Sequence, residues 1–174
     1  MTNNAHIYYD EIAKNYDELY GFEQSNKIRL VLENIKLNKS DKVLDVGGGT
    51  GILSDYADCN VVNLEPSKNM VEQGILKKRN FVPVVGFAED ILVLFNDDEF
   101  DKIFCLTSAH HFSDVDKCLL GFKKKAKKDA IIVISLLKRA ESSSFLIDKF
   151  SSFFDLVKEL KDEKDIILFF KNNK

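Results

Sequence analysis

Apolar positions along the chain change their period as it advances. Between residues 4 and 20, Ile7, Ile12, Ala13, Tyr16, Leu19 and Tyr20 recur at three- and four-residue steps among acids and lysines, which predicts one amphipathic helix or two short ones. "SNKIRLVLENIKL" repeats the pattern, with Ile28, Leu30, Val31, Leu32 and Ile35 on one face and Ser25 as a candidate N-cap. Buried strands then read out at 42–46, in "NVVNLE" at 60–65, in "FVPVVG" at 81–86 despite Pro83, in "DKIFCL" at 101–106 and in "AIIVISLL" at 130–137. Helical patterns fill the intervals: Thr50 through Tyr56, "SKNMVEQGILKKR" behind Ser67 as N-cap, and "DVDKCLLGFKKKA". Strand and helix in this alternation predict an α/β fold, a parallel sheet covered on both faces. "AESSSFLIDKFSS" leaves room for one short helix. Two β-rich runs follow, at about 153–160 and 165–170, and the short charged turn between them predicts an antiparallel hairpin that brings the sheet to seven strands.

Composition narrows the class. With 174 residues, 45% apolar, 14 phenylalanines and two prolines, the chain reads as one globular unit without linker, repeat or low-complexity stretch. Lys and Arg total 25 against 28 acids, so no overall positive field draws it to nucleic acid or anionic lipid. Cys59, Cys105 and Cys118 lack C-x-x-C spacing and sit in or beside apolar stretches, which reads as buried free thiols in a reducing compartment, with no metal site. The N-terminus carries no signal-peptide pattern, and no apolar run approaches ~18 residues. The expectation is a cytoplasmic protein without membrane insertion.

"VLDVGGGTGILS", residues 43–54, packs four glycines into five positions at the end of the first strand. A glycine-rich turn from a strand into a helix presents free backbone N–H groups to a ligand, and nucleotides are the usual guests. The dinucleotide fingerprint G-x-G-x-x-G fails, because counting from Gly47 puts Ile52 where its third glycine belongs. The phosphate-loop pattern G-x-x-x-x-G-K-[ST] is absent too. What stands here is D-x-G-x-G-x-G over Asp45, Gly47, Gly49 and Gly51.

"LDVGGGTG" resembles the cofactor motif of class I S-adenosylmethionine-dependent methyltransferases, and the order of elements follows that family along essentially the whole chain. "YDEIAKNYDELY" is similar to a segment of its type 11 subgroup, which includes ubiquinone- and menaquinone-biosynthesis methyltransferases. The resemblance implies a three-layer Rossmann-like fold, a mostly parallel sheet of seven strands ending in an antiparallel hairpin. It divides a single methyltransferase domain, 1–174, into an N-terminal helical lid and first core helix, 1–38, and a cofactor-binding core, 39–174. It implies that Asp45, Gly47, Gly49 and Gly51 shape the turn against S-adenosylmethionine, and that Glu65 accepts from both ribose hydroxyls, with Pro66 and Met70 beside it. Ala88, Glu89 and Asp90 of "GFAEDI" would read the adenine, an aspartate suiting the role because it only accepts; Asp90 could instead cap a helix that begins near Ile91. Leu106 and Thr107 would line the methionine end, with Tyr9 and Tyr16 closing over it from one face of a continuous helix.

His110 and His111 of "CLTSAHHF" are candidate catalytic bases for a protonated nucleophile, with loop packing as their alternative role. Neither the N-P-P-Y motif of relatives that methylate amides and bases nor a Pro-Cys dipeptide occurs, which favours a small-molecule acceptor over a nucleobase or a glutamine. "KKKAKK" at 123–128 would suit RNA or an acidic protein surface as acceptor; as a lysine run between a helix and a strand it also reads as a solvated face. The product would be S-adenosylhomocysteine and the expected state a monomer or homodimer. A noncatalytic or partner-dependent cofactor-binding subunit and a nucleotide-dependent oxidoreductase are the alternatives.

Overall fold

The computed structural model describes residues 5–174; residues 1–4, which hold the first position of the predicted helix 4–20 and the start of the predicted 1–38 segment, lie outside the described residues. Helix α1, Ala5–Ile12, passes through a 3-10 turn, Ala13–Asn15, into α2, Tyr16–Leu32. Strands β1, Lys42–Val46, and β2, Asn60–Glu65, are followed by α3, Lys68–Leu76, and β3, Val82–Val85. Then come a short α4, Ile91–Leu94, β4, Phe100–Leu106, α5, Val115–Lys125, and β5, Ala126–Leu137. The chain ends in α6, Ser143–Phe153, and a hairpin of β6, Asp155–Lys161, and β7, Asp165–Lys171.

These strands form one sheet of seven in the order β3-β2-β1-β4-β5-β7-β6, parallel up to β5 and antiparallel across β5, β7 and β6. Period-two alternation sorts the core into two layers. Val43, Val61, Phe104, Val133 and Ile167 face Ile28 and Val31 of α2, whereas Leu44, Val62, Ile103, Cys105 and Ile132 face Leu119 and Phe122 of α5 and Leu146 and Phe150 of α6. Cys105 and Cys118 are buried free thiols and Cys59 is half-buried. The hairpin's outer strand, β6, is exposed along most of its length, and its pairing with β7 slips between Leu156 and Lys158.

Several local expectations are overturned. Ser25 does not cap a helix: α2 starts at Tyr16, with Asp17 and Glu18 in its first turn, and runs through Ser25 unbroken. The helix expected over 50–56 is a single 3-10 turn, Ile52–Asp55, because Gly51 enters it at φ 76° and no helical backbone precedes it. The lysine run is not a solvated loop. Helix α5 passes directly into β5, Lys125 is buried and paired with Asp97 at 2.7 Å, and Lys127 pairs with Asp101 at 2.7 Å. Since Ala126 pairs with Phe100, the first residue of β4, the run lies at the amino ends of the strands.

One ion pair is sealed inside the fold. Lys27 Nζ of α2 stands 2.8 Å from Asp165 Oδ2 of β7, each side chain about 1% exposed, and donates to Thr107 Oγ1 at 2.5 Å. It ties the first core helix to the hairpin and to the loop after β4. A buried charge stripped of its partner costs far more than the pair contributes. Lys27→Met alone should therefore lose about 3–5 kcal/mol in chemical denaturation, and the double variant Lys27→Met with Asp165→Leu should recover most of that. A double variant no more stable than the single one would contradict this account.

Candidate functional site

The glycine turn sits at the carboxyl ends of the central strands, where open α/β sheets receive ligands. Its shape is fixed by the neighbouring strand. Gly47 N donates to Leu64 O at 2.7 Å, Asn63 Nδ2 to Gly49 O at 3.0 Å, and Gly49 N to Glu65 Oε2 at 2.9 Å. A Cβ on Gly48 would stand 2.1 Å from Asn63 Oδ1 and 2.4 Å from Asp45 Oδ2, so the backbone lies directly on these side chains. Gly49 has φ 59°, the left-handed region that favours glycine, and its vacant Cβ position faces Met70 and Tyr16.

Glu65 closes the other side. Its second oxygen, Oε1, accepts from Ser67 N at 2.9 Å, so one buried carboxylate joins the turn after β1 to the loop after β2. Burial pushes Glu65 up to about 7, the two N–H bonds acting the other way, and burial followed by the charge of Glu65 pushes Asp45 up to about 7.

Above this floor opens a cleft of about 250 Å³. Gly47, Gly49, Glu65, Pro66 and Met70 form its base, Ala88 and Glu89 one wall, and Leu106, Thr107 and His111 the other. Tyr9 and Tyr16 form its roof. They belong to two helices separated by a 3-10 turn, not to the one continuous helix that the seven-residue spacing predicted, yet their rings lie 6.2 Å apart and both face inward. The roof is pinned at both ends. Asp10 Oδ1 accepts from Ser67 Oγ at 2.5 Å and from Asn69 N at 3.2 Å, while Asp17 accepts from Thr50 Oγ1 at 2.7 Å and pairs with Arg79 at 2.8 Å.

Four predicted site residues do not line the cleft. Asp45 lies behind Gly48, in a small adjoining pocket, and Gly51 is backed by the Phe81 ring. Asp90 turns its carboxylate back to accept from Phe87 N at 3.4 Å, and its side chain makes no capping bond to α4, which corrects the expected cap. His110 Nε2 accepts from Leu137 N at 3.1 Å, so its proton sits on Nδ1, which donates to Ser142 Oγ at 2.8 Å. Both nitrogens are occupied and burial lowers its pKa, which makes it a packing residue.

His111 is the histidine that meets the cleft, with Nε2 3.4 Å from Tyr9 Oη and a pKa lowered by burial, so it is neutral near pH 7. The lining also includes His6, Tyr20, Gln24, Phe87, Ser108 and Leu137, which sequence reasoning missed. His6 precedes Tyr9 by three residues, a helical spacing that marks one face, and Phe87 adjoins "AED"; both were legible signals. Among the described residues there is no group of His, Cys, Asp and Glu that could hold a metal ion, and no helix long and apolar enough to cross a membrane.

Comparison with known proteins agrees with this geometry. Residues 44–134 match the model of the family described as a methyltransferase domain. The chain is 29% identical over 136 residues to the uncharacterized methyltransferase YcgJ of Bacillus subtilis (strain 168), covering 74% of this chain and 50% of that protein. It is 26% identical over 125 residues to the ubiquinone biosynthesis O-methyltransferase of Rickettsia prowazekii (strain Madrid E), covering 67% and 50%. The chain thus spans about half the length of the curated relatives it matches. Among solved structures, a chain from the complex between the Haloferax volcanii Trm112 methyltransferase activator and a methyltransferase superposes with a TM-score of 0.82 at 12% identity, covering 95% of this chain and 98% of that one.

The raised acid under the turn has a measurable consequence. Because the native pKa of Asp45 exceeds its unfolded value, the native state holds an extra proton between about pH 4 and about pH 7, and this group's contribution to stability falls as pH rises through that window. Asp45→Asn removes the cost of ionisation. Its melting midpoint should rise relative to the parent's by roughly 3–6 °C between pH 4 and pH 8. Parallel curves across that range would place the ionisation elsewhere.

Proposed function

The chain belongs to the methyltransferase domain family, and on that premise we propose that it uses S-adenosylmethionine to methylate a small-molecule acceptor, releasing S-adenosylhomocysteine. One observation carries this reading: Glu65, a buried acceptor fixed at both oxygens by backbone N–H groups, faces a cleft walled by the glycine turn and roofed by tyrosines. A carboxylate held this way is suited to two vicinal hydroxyls, since each oxygen keeps a free lone pair. Gly47 and Gly49 leave room for the amino-acid end, Ala88, Glu89 and Phe87 offer a flat apolar slot for a purine, and Leu106, Thr107, Pro66 and Met70 line the remainder. Asp45, Gly51 and Asp90 support the turn and the slot from behind.

Bound S-adenosylmethionine would supply a methyl group on a sulfonium, an electrophile that needs no further activation. The chain's part is then to orient the acceptor and exclude water. Tyr9, Tyr16 and His111 stand where the acceptor would enter, and neutral His111 can take a proton from a hydroxyl or amine nucleophile. His110, with both nitrogens engaged, has no such role. The paired lysines at 125 and 127 lie at the strands' amino ends, which weighs against an RNA acceptor. Residues 39–174 would be the cofactor-binding core and the helices before it the lid, within one catalytic domain that acts as a monomer or homodimer.

Calorimetric titration with S-adenosylhomocysteine beside NADH tests the reading. Binding of the first and not the second is expected, and Glu65→Ala should weaken it more than tenfold; no binding of S-adenosylhomocysteine would refute it. The roof supplies a separate test. Helix α1 has no fully buried residue, and weakly packed segments open most readily. Hydrogen exchange in residues 5–20 should slow on adding S-adenosylhomocysteine. Strong protection already present without it would make these helices fixed scaffold and favour a larger acceptor that covers the site itself.

A further inference from the structure

The slot beside Ala88 and Glu89 lacks the acceptor that the sequence led one to expect, because Asp90 is turned onto Phe87 N and away from the cleft. A different polar atom is there. His6 of α1 lines the cleft with Phe87, its ring meeting the Phe87 ring edge-on at 5.5 Å and 90°. Its Nδ1 is buried and has no hydrogen-bond partner among the described residues. A polar atom removed from water without a partner is costly to leave so, and a ligand that supplies one recovers the loss. Glu89, the nearest acid of that wall, is committed elsewhere: its Oε1 accepts from Ser113 N, Ser113 Oγ and Asp114 N.

We propose that His6, through Nδ1, is the group that recognises the purine of the bound methyl donor, in the place vacated by Asp90; this rests on the S-adenosylmethionine reading above. A purine edge alternates ring-nitrogen acceptors with an exocyclic amino donor, and a neutral imidazole meets either kind by choice of tautomer. Phe87, half exposed in the slot, offers the apolar face against which the base can lie. The contact has a consequence that an aspartate in the core could not have. His6 belongs to the roof, so the base would be held partly by the segment that closes over it, and closure would depend on the base being present.

Two ligands separate base recognition from the rest: S-adenosylhomocysteine, and S-ribosylhomocysteine, which keeps the ribose and amino-acid ends and lacks the purine. His6→Phe keeps a flat ring on a helix with no fully buried residue, so folding is not at stake. Calorimetry should show S-adenosylhomocysteine bound about five- to tenfold more weakly by His6→Phe, S-ribosylhomocysteine bound equally by variant and parent, and Asp90→Asn within about twofold of the parent. Unchanged affinity of His6→Phe for S-adenosylhomocysteine, or equal weakening for both ligands, would overturn the assignment while leaving the donor reading intact. A parent that binds neither ligand would overturn both.

Discussion

The site hangs on one carboxylate. Glu65 takes a backbone N–H from the turn that ends β1 and another from the loop that ends β2, so two independent excursions of the chain are held at a common point. Without that bridge the glycine turn would be an open loop with several conformations, since three of its glycines already sit at positive φ. With it, the roof gains a footing as well: Ser67, whose N–H binds Glu65, gives its hydroxyl to Asp10 of α1. Floor and roof are therefore oriented by the same short stretch of β2 and its exit.

This arrangement is costly, and the cost is concentrated where a ligand would act. Two acids, Asp45 and Glu65, are buried near each other with no cation paired to either among the described residues. Stability comes from other parts of the molecule: the sealed Lys27–Asp165 pair, and the contacts of Phe122, Phe150, Phe154 and Phe170 beneath the hairpin. The division resembles that of many enzymes, in which a well-packed frame carries a locally unfavourable centre.

The frame was legible because it is written in period and length. Buried runs such as 42–46 and 60–65 could be nothing but central strands, and the short charged turn near residue 162 allowed only a hairpin. The turn and Glu65 were legible because glycines and a strand-end acid have few other uses together. Side-chain direction was not. Whether Asp90 and His110 face the cleft depends on the local bonds each can make, with Phe87 N in one case and Leu137 N and Ser142 in the other, and those partners are distant from any sequence pattern. Ser25 failed for a related reason: a good capping residue caps only where a helix begins, and favourable backbone on both sides carried α2 straight through it.

The slip between Leu156 and Lys158 at the outer edge of the hairpin bears on how the molecule behaves in company. An edge strand with bare N–H and C=O groups, and with Leu156 and Val157 exposed, is an invitation for a second sheet to dock. The bulge interrupts the straight run of hydrogen-bonding groups that such docking needs, and the lysines at 158 and 161 place charge along the same rim. The end of the sheet farthest from the cleft is thereby guarded against stacking into aggregates, a protection that leaves the chemistry at the other strands untouched.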